Sequence, residues 1–255
     1  MRFYLLGGFG NLSFQSMIIQ VLTKNRKVVL IDILINKNFF TKIVGWKIHE
    51  NLSYLVFDKI LFDNSSRVAL TTFDLTCIYL SKITGRSFLN RMWIKDASEL
   101  YGDYYAISGY FQDKLSFELS MPHINYLSKK LYSNITKTSC EVVIHYRGTD
   151  SNWAKRLNNY YMKIFNILAS TTDVIVITDD LVRAKKNLPW CKDIRSGTLI
   201  QDLSILLGAK KIFCAPSTLS WWAALASIEV EEVYMPVMLQ TLLPDVSKLK
   251  NVKYI

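Results

Sequence analysis

Two periodicities alternate along this chain. The runs RFYLL (2–6), KVVLIDILI (27–35), EVVIHY (141–146), DVIVITDD (173–180), KKIFCAPS (210–217) and EEVYMP (231–236) are short and apolar. Length and β-branched content predict buried strands, with a turn closing the fifth run and EEVYMP as the last strand. Between them, LSFQSMIIQVLTK (12–24), HINYLSKKLYSNI (123–135), LNNYYMKIFNILAS (157–170), LVRAKKNL (181–188), LIQDLSILLGA (199–209) and TLSWWAALAS (218–227) carry apolar residues at helical spacing. Strands alternating with helices of about ten residues predict an α/β fold with a parallel, doubly wound sheet. From 36 to 110 the pattern breaks, and only YLVF (54–57) and YYAIS (104–108) read as strands. The polar stretch SNITKTS (133–139) divides the chain into expected domains 1–137 and 138–255.

In a sheet of this kind ligands bind at the carboxyl ends of the strands. Several polar residues fall there. His145, Arg147 and Asp150 end one strand, Asp179 and Asp180 the next, and Ser217 and Thr218 follow a third where a helix begins. Arginine meets phosphate through paired, charge-assisted hydrogen bonds. The N–H groups of a helix start, with the two hydroxyls, suit anionic oxygens. Acids at strand ends commonly hold ribose or base N–H and O–H groups. A nucleoside diphosphate fits that set. Each residue alone has a plainer reading: Arg147 as a surface ion pair, with Asp150 as its partner, and Ser217 and Thr218 as helix caps. The glycine turn GGFGN (7–11) is a tight β-to-α turn, too short for a dinucleotide fingerprint, with Asn11 at the start of its helix.

The formal net charge of +10 favours anionic partners. The lysines and arginines form small groups, Lys24/Arg26/Lys27, Lys185/Lys186, Lys210/Lys211 and Lys248/Lys250/Lys253, which read as solvated helix ends. Peripheral contact with anionic lipid is the sharper reading. Aromatic residues do not interleave with the basic ones as a nucleic-acid stacking surface requires, so no nucleic-acid partner is expected. Cys77, Cys140, Cys191 and Cys214 form no CxxC and read as buried thiols of a reducing compartment. His49, His123 and His145 fit no metal-ligand spacing. The uncharged stretch 212–228 is interrupted by Pro216 and Ser/Thr residues, so a strand, a turn and a buried helix are expected rather than a membrane span. Met1 begins directly on a strand pattern without a leader-like region. A cytoplasmic protein is expected, with contact at the inner face of the membrane as the extension of its basic charge.

Five segments carry a resemblance. GGFGNLSFQ (7–15) resembles the GGxGNxxFQ opening of bacterial α-1,2-fucosyltransferases. GYFQD (109–113) is similar to their GYxQ segment, HYRGTD (145–150) to HxRRxD, VITDD (176–180) to their SDD segment, and APSTLSWWAALAS (215–227) to NSSFSWWAAWL. HxRRxD is shared with α-1,6- and protein O-fucosyltransferases. The matches keep the family order and span nearly the whole chain. The resemblance implies a GT-B fold, two Rossmann-like domains facing a central cleft. It implies inverting, metal-independent transfer of L-fucose from GDP-fucose to a glycan hydroxyl, in α-1,2 linkage, in surface polysaccharide (O-antigen or capsule) synthesis, with no cofactor. On this resemblance Arg147, Asn11 and Asp150 are the catalytic candidates. Gly8, Gly10, His145, Arg147, Asp179, Asp180, Asp202, Ser217 and Thr218 are the donor-binding ones. Gly148 stands where the family has its second arginine; Gly148→Arg would restore the pattern where space permits. The same fold with another GDP-sugar or linkage, such as α-1,6, is the second expectation. A basic α/β module binding nucleotides or nucleic acid is the non-enzymatic one.

Overall fold

The structure is a computed structural model that describes residues 2–5, 9–24, 29–32, 67–69, 91–93, 106–108, 112, 114–148, 157–168, 173–247 and 250–255. The chain falls into two compact units, Met1–Asn125 and Tyr126–Ile255.

The first unit holds strands β1 (Arg2–Leu5), β2 (Val29–Asp32), β3 (Arg67–Ala69), β4 (Arg91–Trp93) and β5 (Ala106–Ser108). They form a parallel sheet in the order β3-β2-β1-β5-β4. Helix α1 (Phe9–Thr23) follows β1 at once. It is buried nearly all round: Leu12, Phe14, Met17, Ile18, Ile19 and Leu22 are core, and Ser13, Gln15 and Ser16 are buried too. The helix begins at Phe9, three residues earlier than its apolar spacing indicates, and takes in Gly10 and Asn11. Glycine costs least in a first turn, where the N–H groups lack intrahelical acceptors in any case. Helix α2 (Lys114–Leu119) comes next, and helix α3 (Met121–Asn134) contributes most of its residues to the second unit. Pro122 sits in the first turn of α3, where its missing N–H removes no helical bond. The expected strand YLVF (54–57) lies outside the described residues.

The second unit is built on β6 (Cys140–Tyr146), β7 (Val174–Thr178), β8 (Asp193–Arg195), β9 (Ala209–Phe213), β10 (Glu232–Met235) and β11 (Val252–Tyr254). All pairs are parallel, in the order β11-β10-β9-β6-β7-β8. Counted within the unit, that is 6-5-4-1-2-3, the order of a Rossmann sheet read from the other edge. The succession reverses between β6 and β9. Helices α4 (Asn158–Leu168), α5 (Leu181–Asn187), α6 (Leu199–Gly208), α7 (Thr218–Ala226) and the short α8 (Leu239–Leu242) fill the crossovers.

Strand alternation assigns the two faces of the central strand. Val142, Ile144 and Tyr146 enter a core with Tyr160, Tyr161, Ile164, Val176, Phe213 and Tyr234. Val143, His145 and Arg147 therefore share the opposite face, on which α6 packs. Trp221 and Trp222 of α7 are fully buried and meet edge to face at 5.1 Å. The uncharged stretch 212–228 is thus a strand end, a turn and a buried helix. Among the described residues no helix is long and apolar enough to cross a membrane. Cys140, Cys191 and Cys214 are free and buried. The lysine groups differ from the expected solvated helix ends. Lys185 and Lys186 do lie in the last turn of α5. Lys210 and Lys211 lie on β9, where they pair with Glu141 and Glu232, and Lys253 of β11 pairs with Glu232 as well. Cations already facing carboxylates are weakened as holders of anionic lipid.

Candidate functional site

Four predicted residues meet at the carboxyl end of the second sheet. His145 is the sixth residue of β6 and is buried. Arg147 follows two positions on, half-buried and on the same face. The register His145↔Ile177 and Tyr146↔Thr178 carries Asp179 alongside Arg147. Asp202 enters from the first turn of α6.

Their charges register one another. Burial, with the Arg147 guanidinium, pushes the His145 imidazole down to about 4, while Asp179 pulls the other way. His145 is therefore neutral near pH 7, and its buried Nδ1 has no hydrogen-bond partner. A buried nitrogen left without one costs free energy unless a ligand or water meets it. Burial, and then the Asp179 carboxylate, push Asp202 up to about 6, against the opposing bond from the Gly197 N–H. A capping box of Thr198 and Gln201 fixes the turn that presents Asp202.

The Arg147 segment is held from several sides. Tyr161, whose hydroxyl burial keeps neutral, packs in the core on the other face of β6. The Tyr146 ring lies 4.9 Å from that of Tyr161, and Asn187 Nδ2 donates to the Tyr146 hydroxyl at 2.6 Å. Gly148 N donates to Asp179 Oδ1 at 2.7 Å, and Arg183 Nη1 donates to the Gly148 carbonyl. Gly148 is glycine for want of space. A Cβ there would stand 2.4 Å from Asp180 Cβ, and the backbone is not left-handed. The space on which Gly148→Arg depends is not there: a side chain at 148 meets Asp180 Cβ before it can extend.

Asp180 caps its own helix. It accepts from Arg183 N at 3.0 Å and lies 3.8 Å from Arg183 Nε. Ser217 caps α7, accepting from Leu219 N at 3.2 Å, so its hydroxyl keeps a proton to donate. Thr218 is the first residue of that helix. Because β9 lies beside β6 and parallel to it, the start of α7 borders the same switch point as Arg147. Tyr160 steadies this edge: its hydroxyl reaches the Cys214 and Tyr234 carbonyls, at 2.8 and 3.1 Å.

Asn11 and Gly10 belong to the first unit. Gly10 is buried in α1. Asn11 Oδ1 accepts from Gln112 Nε2 at 2.7 Å, which joins the GGFGN and GYFQD segments across 101 residues. Gly8 and Asp150 lie outside the described residues. Sequence reasoning missed Gln112, Arg183 and Gly197 as site residues. Gln112 lay inside a quoted motif, and Arg183 stands three residues after Asp180, a spacing that pairs charges on a helix. Gly197 acts through its backbone and left no signal.

No family model matches the chain, and no curated protein matches it. Among solved structures, the E. coli heptosyltransferase WaaC with ADP aligns with 100% of this chain and 93% of its own, at 11% identity and a TM-score of 0.46. A putative UDP-N-acetylglucosamine 2-epimerase from Listeria monocytogenes aligns with 92% of this chain and 78% of its own, at 8% identity and 0.47. The NodZ alpha-1,6-fucosyltransferase co-crystallized with GDP aligns with 91% and 93%, at 12% identity and 0.44. The fold assigned above rests on the strand order and its hydrogen-bond register.

Proposed function

We propose that this chain is a GT-B-type inverting glycosyltransferase that takes L-fucose from GDP-fucose to a glycan hydroxyl, in α-1,2 linkage, for a surface polysaccharide. One observation carries the reading. His145, Arg147, Asp179, Asp202 and the start of α7 meet at the switch point of a Rossmann-ordered sheet, and all but Asp202 lie in the segments that resemble the fucosyltransferase motifs.

In the proposed reaction the acceptor oxygen forms a bond to the anomeric carbon on the face opposite GDP. The bond from that carbon to the β-phosphate oxygen breaks, and its electron pair stays on the phosphate. Arg147, the hydroxyls of Ser217 and Thr218, and the N–H groups at the start of α7 stabilise the growing phosphate charge. Asn11 acts as the further catalytic amide that the resemblance implies. The acceptor proton passes to Asp150 or to water. The carboxylate of Asp202, with His145, holds the guanine and ribose edge. The fixed place of Gly148, where the fucosyltransferase pattern of either linkage has an arginine, supports a second reading, the same fold with another GDP-sugar. Against a nucleic-acid module, both tryptophans of α7 are in the core and offer no stacking face.

Thermal shift with GDP, ADP and UDP, each with and without EDTA, tests the donor. GDP at 100-fold above its Kd is expected to raise Tm by several degrees, since occupancy at that level adds about 2.7 kcal/mol. UDP and ADP shift it little, and EDTA changes nothing. Equal shifts with all three nucleotides overturn the guanine donor; a GDP shift lost in EDTA and restored by manganese overturns the metal-free site.

The pH dependence follows from Asp202. Guanine N–H groups bind its ionised form, so binding releases the proton that the free protein holds below about pH 6. GDP affinity is therefore full above pH 7 and falls as pH drops through 6, about tenfold by pH 5. His145, titrating near 4, stays neutral over that window. Calorimetry at pH 5.0 and 7.5 on wild type and Asp202→Asn checks this. The variant should keep only the dependence that the terminal phosphate of GDP, itself titrating at about pH 6, brings to both proteins; a wild-type dependence no steeper than the variant's contradicts the assignment.

A further inference from the structure

Helices α4 and α5 have an outer surface that the donor chemistry does not use. Each returns from the carboxyl end of one strand to the amino end of the next. Both pack on the same face of the sheet, where Ile164 and Leu168 share a core with Ala184 and Leu188. Their last turns therefore lie together at the amino end, away from the crevice proposed for the nucleotide. There the Phe165 ring meets that of Trp190, just beyond α5, at 5.4 Å.

The side of this layer turned from the sheet exposes apolar groups. Met162 is 60% exposed and Val182 82%. Met162 stands one turn before Phe165, itself exposed, and Val182 one turn before Lys185 and Lys186. Single exposed apolar residues are ordinary. Here two neighbouring helices carry them, with an aromatic pair joining the helix ends. The cations differ from those of β9 and β11. Lys185, Lys186 and Lys192 are exposed. Among the described residues none of the three forms an ion pair, whereas Lys210, Lys211 and Lys253 each face a glutamate. Asp193, next to Lys192, is already held by Arg195. The end of a helix explains lysines in its last turn; it does not explain an exposed valine in front of them.

Apolar groups beside unpaired ammonium groups fit a surface that is anionic outside and apolar beneath. The side chains of Met162, Phe165 and Val182 enter the headgroup boundary, and the lysines meet phosphate there. The half-buried Trp190 suits the same depth, with an apolar ring and one N–H. A second copy of this chain fits less well, because a two-fold contact through this surface sets the same lysines against one another. We propose that the outer surface of α4 and α5, with Trp190, docks on a bilayer that contains anionic lipid.

Vesicle flotation of the whole chain, at low and high salt, reads this contact. Wild type is expected to float with phosphatidylcholine vesicles that contain phosphatidylglycerol, not with phosphatidylcholine alone, and to detach as salt rises. Lys185→Ala with Lys186→Ala should weaken binding about twenty-fivefold, at about fivefold for each lysine near the surface. Met162→Ser and Val182→Ser should each weaken it at unchanged Tm, since both side chains are exposed. Lys210→Ala with Lys211→Ala removes the same charge from paired positions and should leave binding near the wild-type value. No binding, equal binding to both kinds of vesicle, or equal losses in the two lysine pairs overturns the proposal. So does a protein that does not float but dimerises in the ultracentrifuge through a contact abolished by Met162→Ser; the surface is then an interface between copies. None of these outcomes bears on the glycosyltransferase reading, which GDP binding and turnover decide.

Discussion

Arg147→Ala should leave a folded protein that turns over GDP-fucose about 10²–10³ times more slowly than wild type. A well-placed donor at a site of developing charge is worth roughly 3–4 kcal/mol in the transition state, and that converts to this loss. The surroundings of Arg147 argue that, among the described residues, no other group compensates. His145, on the same face, is held neutral by burial and by Arg147 itself. Arg183, from the next helix, donates to the Gly148 carbonyl and lies against Asp180. Position 148 has no room for a cation. Arg147→Lys should recover little, because an ammonium lacks the planar fork that meets two phosphate oxygens. Arg147 is half-buried at a strand end rather than in the core, so the Tm of the Ala variant should stay near wild type. The deciding measurement is kcat with GDP-fucose in that variant. A value within about threefold of wild type would falsify the role given to this residue, since the expected loss is roughly a hundredfold or more.

Gly148→Arg is expected to destabilise the second unit, although it moves the sequence toward the fucosyltransferase pattern. The first atom of any side chain at 148 would overlap Asp180 Cβ, which lies next to the backbone and cannot swing aside. Gly148 cannot retreat either, because its N–H is held by Asp179 and its carbonyl by Arg183. Asp180 in turn is fixed by capping α5. Overpacking of this kind costs about 1–3 kcal/mol for a single added group. Gly148→Ala isolates the Cβ term and should lower the urea midpoint measurably. Gly148→Arg should lower it further and weaken GDP binding. Wild-type stability with tighter GDP binding in the Gly148→Arg protein would show that the two strand ends are not so close.

The second unit was largely readable in the sequence because its long strands are buried on both faces. EVVIHY and VIVIT are continuous apolar runs, and polar residues such as Asp180 and Ser217 at the helix starts mark where the strands end. The edges were not readable. DIR (193–195) and VKY (252–254) are three-residue strands with charged members, too short to show a period of two, so EEVYMP is not the last strand. RVA and RMW in the first unit escape notice for the same reason. Among the site residues, His145, Arg147, Asp179 and Asp202 follow from strand ends, helix starts and motif. The glycine at 148 does not: sequence shows a missing arginine, whereas the cause is a contact with a neighbouring strand end that no local pattern encodes.

The strand order also sets when this site can come into being. β6 is the central strand, but one of its two partners is β9, and Cys140 cannot pair with Ala209 until β7, β8 and their helices have been made. During synthesis β6, β7 and β8 emerge as a half-sheet with one flank of β6 unpaired, a flank that runs from Cys140 to Ile144. Closing such long loops slows folding, and an open strand flank invites other chains. The crevice between β6 and β9 is therefore the last part of that half to become protected. A nascent chain stalled before residue 209 would expose, as an aggregation-prone edge, the surface that later becomes the crevice proposed for the nucleotide.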